Sequence, residues 1–417
     1  MTAVLDFGTR TLIGSAARIA DGIVASAVFS GERCGFVGAW PEEGQGGAIV
    51  MTYRGLGPDL YGGTAGIGLF LAEMAAETGD AGQRAVALGA LRHAASRVHA
   101  IPSSTGGGLY AGRVGVAVAL ARGGALLGAD DLIRAAGGAA DPGPPDGAGE
   151  FDLISGSAGA IVGCLILRRL LDRDDLVDVA AAHAEALIAN ARVSGDGLAW
   201  LSAQFPSSRG LAGLSHGAAG VALALLELSA VREDPRYRAT AARAFEYERS
   251  IYDDAARNWP DLRQLPGHSV SAEPSFATFW CHGAPGIALS RIRALELGYE
   301  GETRAEAAAA LATTAAWVHA GLLSGGANYS LCHGLAGNVE VILEGRDIAG
   351  PEADELVRMV VETGTESFDA PGREWPCGVH GGTTPALFVG TAGIGRFLLR
   401  LARPDLPSLI LPRPDAF

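Results

Sequence analysis

A Gly-x-x-Gly turn that leads into an apolar stretch recurs seven times along this chain of 417 residues. The turns begin at Gly63, Gly112, Gly156, Gly217, Gly283, Gly334 and Gly390. Their spacing runs from 44 residues (Gly112 to Gly156) to 66 residues (Gly217 to Gly283), which is the length of a helical hairpin with its loops. The repeat therefore predicts seven helical hairpins in a single domain that spans residues 1–417.

The segments after the turns differ in polarity from those between them. Ile67–Ala76 and Val221–Leu228 are apolar on nearly every side, which predicts buried helices. The intervening segments carry charge on one face, as in Ala85–Val98, Val177–Arg192, Tyr237–Ile251 and Thr303–Leu322. We expect an inner ring of buried helices inside an outer ring of amphipathic ones. Glycines at the turns would let each inner helix start close against its neighbour.

Four segments interrupt this regularity. Gly137–Glu150 is rich in Gly, Pro and Asp, which predicts a surface loop. Asn258–Phe279 and Thr365–Val389 lack a helical period, and we expect them to wall a substrate cleft. Residues 1–57 are the least periodic part. We expect an N-terminal helical extension there, with an outer helix near Leu12–Phe29 that packs on the last repeat.

Composition limits the possible partners and compartment. The 46 acidic and 32 basic residues leave a formal charge of −14, which argues against nucleic acid or an anionic membrane. The five cysteines do not form a dense disulfide framework, so we predict a cytoplasmic protein. We expect no signal peptide, because no basic flank precedes an apolar run at the N-terminus. The apolar runs are shorter than the roughly 20 residues of a membrane span.

Two turns combine thiols with imidazoles. Trp280–Gly286 reads W-C-H-G-A-P-G, and Leu331–Gly337 reads L-C-H-G-L-A-G. Cys281, Cys332 and His333 are ligands of the kind that zinc takes, and three protein ligands leave a fourth position for water or substrate. The pattern predicts a catalytic zinc site. The alternative is two small buried apolar residues and a capping histidine.

These turns resemble the signature motifs of lanthionine synthetase C-like proteins, the lanthipeptide cyclases. The matching segments are S-H-G-A-A-G (Ser215–Gly220), W-C-H-G-A-P-G-I (Trp280–Ile287) and L-C-H-G-L-A-G (Leu331–Gly337). Asp59–Phe70 and Ala386–Leu401 are similar to the first and last repeats of that family, so the resemblance runs from about Leu56 to the end of the chain. The motif W-C-H-G-A-P-G is similar to the corresponding motif in the cyclase part of class II synthetases. The resemblance implies an α/α toroid of seven helical hairpins.

The resemblance also implies roles for individual residues. The family's zinc ligands fall on Cys281, Cys332 and His333, with one Zn²⁺ per chain. Its acid/base histidine falls on His216, and an acidic partner falls on Asp152. A carboxylate could fix the tautomer of that histidine. From the residues alone, His216 could instead cap a helix, and Asp152 could be an ordinary turn residue before a helix.

The activity that the resemblance implies is thioether formation. A peptide cysteine thiol adds to a dehydroalanine or dehydrobutyrine of the same dehydrated precursor peptide, which gives a lanthionine or methyllanthionine ring. Two alternatives stay open. One is addition of an external thiol such as glutathione, and the other is a non-catalytic scaffold that binds peptide or dehydratase.

This chain departs from the family in two respects. Some members carry an arginine four residues before the first zinc-ligating cysteine, where this chain has Ala277. The residue that replaces that arginine is open, and neither Arg263 nor Arg291 can be assigned to its role from the sequence. Class II synthetases also carry an N-terminal dehydratase, for which we find no room here. We therefore expect a separate dehydratase as partner.

The remaining histidines and cysteines have less specific signals. His282 follows Cys281 directly and could support the metal site. Cys377 and His380 form a rival pair in an irregular loop. His93, His99, His183 and His319 lie on outer helices and are expected to be structural or at the surface. Cys34 and Cys164 are expected to be packing residues.

Overall fold

The computed structural model describes residues 8–43, 49–102, 106–145, 150–205, 209–263, 274–370 and 372–417. Its helices are α1 Thr9–Ala25, α2 Thr64–Thr78, α3 Ala81–Arg97, α4 Arg113–Leu127, α5 Asp130–Ala139, α6 Ser157–Leu171, α7 Leu176–Asn190, α8 Ala218–Ser229, α9 Pro235–Ser250, α10 Ala284–Glu296, α11 Thr303–Ser324, α12 Leu335–Glu344, α13 Arg346–Ala349, α14 Glu352–Phe368 and α15 Thr391–Ala402. The strands are β1 Val28–Ser30, β2 Arg33–Gly35, β3 Val37–Glu43, β4 Ile49–Gly55, β5 Arg192–Ser194, β6 Gly197–Ala199, β7 Pro260–Asp261 and β8 Ser275–Phe276. Consecutive strands pair antiparallel as β1–β2, β3–β4, β5–β6 and β7–β8.

The helices form a closed double ring. Six hairpins pair α2 with α3, α4 with α5, α6 with α7, α8 with α9, α10 with α11 and α12 with α14, and the seventh pairs α15 with α1. The first helix of each pair contacts the next in the order α2, α4, α6, α8, α10, α12, α15, and α15 returns to α2. The predicted α/α toroid of seven hairpins is therefore confirmed.

The second glycine of each turn has the same role in all seven repeats. A Cβ atom there would lie only 1.8 to 2.6 Å from the carbonyl oxygen six residues earlier. The positions are Gly66, Gly115, Gly159, Gly220, Gly286, Gly337 and Gly393. Only glycine lets the turn fold back onto the first turn of the inner helix, so this contact accounts for the repeating motif.

Hydrogen bonds connect neighbouring turns around one end of the ring. Phe388 N–H donates to Tyr61 O, and Tyr61 N–H donates to Tyr110 O, at 2.9 and 3.0 Å. Tyr110 N–H donates to Ile154 O, whose own N–H donates to Ser215 O. These bonds hold the N-termini of the inner helices at one rim, which we call the mouth of the ring.

An aromatic cluster fills the centre of the ring beneath the mouth. The rings of Tyr110, Trp280 and Phe388, which come from three different turns, contact each other at centroid distances of 4.7 to 5.1 Å. The Tyr110 hydroxyl donates to Leu409 O at 2.7 Å, and Trp280 Nε1–H donates to Ile410 O at 2.9 Å. Because Leu409 and Ile410 are buried, the C-terminal segment is part of the core.

The N-terminal segment differs from the prediction. The helix expected near Leu12–Phe29 ends at Ala25, and residues 28–43 and 49–55 contribute the paired strands β1–β2 and β3–β4 rather than helix. Ser26 Oγ donates back to Ile23 O, and Gly31 turns the chain with φ of +62° between β1 and β2. The helix itself, α1, packs on α15 as the outer helix of the seventh hairpin.

Helix α11 is long and apolar enough to cross a membrane on length and composition alone, with a mean hydropathy of 1.3. It contacts α10, α12, α13 and α14 as the outer helix of the fifth hairpin. A single helix of this kind is weak evidence for a membrane span.

Candidate active site

A histidine–aspartate pair joins the third and fourth repeats at the mouth. His216 directly precedes the N-cap glycine of α8, and Asp152 lies in the turn before α6. His216 Nδ1 lies 2.5 Å from Asp152 Oδ2, while Asp152 Oδ1 accepts the backbone N–H of Ser155 at 2.6 Å. Both side chains are largely buried, with 9% and 3% exposed. Because the carboxylate holds Nδ1, Nε2 is the ring nitrogen left for a substrate.

The thiols of Cys281 and Cys332 are hydrogen-bonded to each other across the fifth and sixth repeats. The Cys332 thiol also contacts His333 and the hydroxyl of Tyr61. The hydrogen bond from Cys281, with those from His333 and Tyr61, holds the pKa of Cys332 well below that of an ordinary thiol despite burial. The same hydrogen bond and burial raise the pKa of Cys281. The two thiols therefore titrate as an interacting pair, in which one loses its proton more readily than the other.

His333 is fixed by its second ring nitrogen. Its Nε2 lies 2.7 Å from the carbonyl oxygen of Gly378 in the loop after α14. Burial alone would lower the pKa of His333, but contact with Cys332 raises it. The carbonyl accepts a hydrogen bond from Nε2–H, which leaves Nδ1 as the nitrogen available to a metal or a thiol. Ligating histidines in metal sites commonly donate their other ring N–H to the backbone in this way.

His282 connects these two groups of residues. Its ring stacks on His216 with centroids 5.7 Å apart, and its Nδ1 lies 3.9 Å from Asp261 Oδ1. Burial, helped by the positive charge of Arg263, lowers the pKa of His282 to about 3. Its Nε2 is buried and has no hydrogen-bond partner among the residues that the structure describes. A neutral imidazole thus stacks on the histidine of the histidine–aspartate pair and directly follows Cys281 in the chain.

The side chains of Cys281, Cys332 and His333 are the expected ligands of a metal ion. Across the described ranges, no group of three or more His, Cys, Asp or Glu side chains is already arranged to hold a metal ion. The donor set nevertheless fits zinc, since the Cys332 thiol interacts with both the Cys281 thiol and the His333 imidazole. The Gly378 carbonyl fixes the imidazole in the tautomer that a ligand needs.

Cys377 and His380, the alternative pair of metal ligands, lie in different environments. Cys377 is buried, with its Sγ 3.6 Å from Thr384 O, whereas His380 is exposed. Cys34 and Cys164 are buried in the core. All five cysteines are free thiols.

Ala277 supports the Cys281 turn with its backbone. Its carbonyl oxygen accepts Asn258 Nδ2–H at 3.0 Å. A Cβ on Gly283, which has φ of +81°, would lie 1.8 Å from that oxygen. The position thus carries a tightly packed backbone and no charged group.

Several residues at the mouth were not anticipated from the sequence. Tyr61 contacts Cys332 and stacks on Phe388 with centroids 5.0 Å apart. Phe205 packs its ring against His216 at 5.0 Å, and Asp261 and Arg263 lie beside His282. Tyr61 could have been found by its position, because it lies two residues before the N-cap glycine of α2, as Cys281 and Cys332 do before α10 and α12. The others lie in irregular segments without a sequence signal.

Two solved structures share the architecture. Nisin cyclase is 18% identical over 98% of this chain and 98% of its own, with a TM-score of 0.54. The GH76 α-mannanase BT2949 from Bacteroides thetaiotaomicron is 10% identical over 95% of each chain, with a TM-score of 0.51. At such identities both likenesses show the fold alone, and the fold serves unlike proteins.

The family assignment rests on sequence instead. Residues 55–413 match the family described as lanthionine synthetase C-like protein, and this range includes all seven turns and the residues of the mouth. The chain therefore belongs to the lanthionine synthetase C-like family.

Proposed function

We propose that this protein is a zinc-dependent lanthipeptide cyclase. It adds a cysteine thiol of a dehydrated precursor peptide to a dehydroalanine or dehydrobutyrine of the same peptide and so forms a (methyl)lanthionine thioether. One observation carries the proposal beyond family membership. The turns that carry His216 and Cys281 are in direct contact, because Ser215 Oγ donates to Cys281 O at 2.7 Å and the His282 ring stacks on His216.

Cys281, Cys332 and His333 would hold the zinc ion. When bound, zinc deprotonates a coordinated thiol, which is otherwise only a few per cent thiolate at neutral pH. A ligand set with two thiolates already balances the charge of Zn²⁺, so an additional thiolate would be unusually electron-rich. This donor set suits sulfur chemistry better than three neutral imidazoles would.

His216 handles the proton in this proposal. Its Nε2 accepts the proton of the substrate thiol and returns it to the α-carbon after the C–S bond has formed. Asp152 keeps Nδ1 protonated and stabilises the imidazolium that exists between the two transfers. Helices α8, α10 and α12 begin two residues after His216, His282 and His333, respectively. The partial positive charge at their N-termini favours an anionic intermediate.

A mass and thiol assay tests the proposal and its alternatives. The protein with zinc is incubated with a dehydrated precursor peptide, with and without glutathione. Cyclisation removes the free thiol at constant mass, whereas addition of glutathione raises the mass. A scaffold leaves both unchanged, and that result would overturn the proposal. Cys332→Ala should lose the cyclisation, and Cys164→Ala, in the core of α6, is the control that should keep it.

The proposal also implies partners and a compartment. A dehydrated peptide requires a dehydratase, which we propose is a separate protein. The five free thiols are compatible with the reducing cytoplasm, where we propose that the reaction takes place.

A further inference from the structure

Arg263 brings a positive charge to the mouth from outside the repeated turns. It follows strand β7, which pairs with β8 in the register Pro260↔Phe276 and Asp261↔Ser275. Strand β8 in turn leads directly into the Cys281 turn. This short hairpin places the Asp261–Arg263 segment beside the site, although nothing in the sequence motif marks it.

The guanidinium is held along one edge. Arg263 Nη2 donates to Asp261 Oδ2 at 2.6 Å and Nε donates to Asp261 Oδ1 at 3.0 Å. Among the described residues, no hydrogen bond engages Nη1. The two side chains are mostly buried, with 21% of Arg263 and 13% of Asp261 exposed. The pair therefore presents a cation that is fixed along one edge, and its Nη1 group has no hydrogen-bond partner in the part of the chain that the structure describes.

The neighbours of this cation are the residues of the proposed reaction. The guanidinium carbon of Arg263 lies 5.6 Å from the ring centroid of Phe205, and that ring packs on His216. Asp261 lies 3.9 Å from His282. The charge of Arg263 also acts on Cys281 and Cys332. Arg263 is thus linked to the proton-transfer group through the Phe205 ring, and its charge acts on both thiols.

The buried Nε2 of His282 supports a polar ligand in the same place. Within the described parts of the chain this atom has no hydrogen-bond partner, although the side chain is only 2% exposed. A buried polar atom without a partner is costly unless a ligand supplies one. In the tautomer with its proton on Nε2, His282 would donate to a carbonyl oxygen that also accepts from Arg263.

We propose that Arg263 binds the carbonyl oxygen of the dehydro residue and stabilises the negative charge that develops on it during thiol addition, with Asp261 as the residue that positions the guanidinium. The inference rests on the proposed cyclase function. In the step, the sulfur lone pair forms the C–S bond and the alkene π pair moves toward the carbonyl oxygen. The pair then returns to the α-carbon as His216 delivers the proton there.

The test compares Arg263→Ala with Arg173→Ala. Arg173 makes the same two-residue ion pair with Asp175, but far more exposed, at 40% and 58%. Single-turnover thioether formation should slow about 10²-fold in Arg263→Ala, as for the loss of an oxyanion donor. The dissociation constant for the peptide before dehydration should stay within about twofold of wild type, because the effect is on charge that develops only in the reaction. Arg173→Ala should match wild type in both.

Two further measurements distinguish a chemical role from a structural one. Millimolar guanidinium ion should restore part of the rate of Arg263→Ala, whereas equal sodium should not. Asp261→Asn should slow the reaction less than Arg263→Ala does. An Arg263→Ala rate equal to that of Arg173→Ala, or a loss that guanidinium does not relieve, would overturn the inference while leaving the cyclase proposal in place. A wild-type protein that forms no thioether would overturn both.

Discussion

Asp152 and His216 belong to adjacent repeats, yet Asp152 Oδ2 and His216 Nδ1 lie only 2.5 Å apart. The turns that carry them are joined by the backbone, because the N–H groups of Leu153 and Ile154 both donate to Ser215 O. The contact between the two side chains therefore follows from the packing of neighbouring hairpins. The carboxylate also caps its own turn through Ser155.

Asp152→Asn should lower the rate of thioether formation by about 10²- to 10⁴-fold, because the imidazole loses the group that orients it and stabilises its charge. Asp59→Asn is the matched control, since Asp59 Oδ1 accepts the N–H of Gly62 at 2.7 Å in the first repeat as Asp152 does in the third. Both variants should lose a similar amount of thermal stability, but Asp59→Asn should keep most of its rate. Equal rates in the two variants would contradict the assigned role.

Purified protein should contain about one zinc ion per chain, and Cys332→Ala should lose it. Added zinc should raise the melting temperature of metal-depleted wild type, because the ion binds only the folded chain. Cys377→Ala should retain the metal, since its thiol faces Thr384 rather than Cys332. Elemental analysis and thermal unfolding measure these effects. Folded wild type that takes up no zinc would rule out the metal site.

Gly337→Ala should destabilise the protein and disturb the Cys332 turn. The added methyl group would lie 1.8 Å from Leu331 O, so backbone must move, at a cost of about 1–3 kcal/mol or more. Gly326→Ala is the control, because no atom lies within 4 Å of its Cβ position. Urea unfolding should show a lower free energy of unfolding for Gly337→Ala, and elemental analysis should show less bound zinc. Gly326→Ala should match wild type in both measurements. Unchanged stability in Gly337→Ala would show that the turn is not tightly packed.

The free energy of unfolding should fall as the pH drops below about 6.5, in part because of His183. Burial lowers the pKa of His183, whose ring lies 3.1 Å from Ser157 Oγ and 3.2 Å from Gly143 O. The pKa of His183 is lower in the folded protein than in the unfolded chain. At pH values between these two pKa values the unfolded chain binds more protons, so lowering the pH favours unfolding. Urea unfolding at pH 7.5 and 5.5 measures the difference.

His183→Asn should reduce that pH-dependent difference even if it lowers stability at both pH values. His319→Asn, at an exposed position on α11, should leave the difference as in wild type. If both variants keep the full difference, another group is responsible for it.

Ile410→Ala should cost about 2–5 kcal/mol of unfolding free energy, because Ile410 is fully buried in the C-terminal segment under the aromatic cluster. Leu323→Ala, at a side chain that is 80% exposed, should change it by less than about 0.5 kcal/mol. Chemical denaturation compares the two. A small effect of Ile410→Ala would mean that this segment is not part of the folded core.

The seven hairpins could be predicted because one steric requirement recurs in every repeat. The second glycine of each turn cannot be replaced without a clash, so the motif is visible in a single sequence. The residues before the N-cap glycines were also visible, since His216, His282 and His333 occupy the same position in three successive inner helices.

Other features depend on contacts between distant segments. Arg263 lies at the mouth because it follows a two-residue strand. No sequence pattern indicates that it lies near Phe205, which belongs to a distant segment of the chain. The N-terminal helix was predicted to end at Phe29, whereas α1 ends at Ala25. The prediction was wrong because Val28 and Phe29, which lie in strand β1, are as apolar as the helix before them. Whether Cys281, Cys332 and His333 hold zinc stays a prediction from the sequence and the donor chemistry.

The seventh hairpin pairs α1, near the start of the described chain, with α15, near its end. During synthesis on the ribosome, α1 therefore waits for its partner until residues 391–402 have emerged. The backbone N–H of Cys332 likewise lacks its acceptor, the carbonyl of Phe388 at 2.9 Å, until that late residue is made. The nascent chain thus passes through an open arc of apolar helices, and the thiol site takes its final form only when the ring closes.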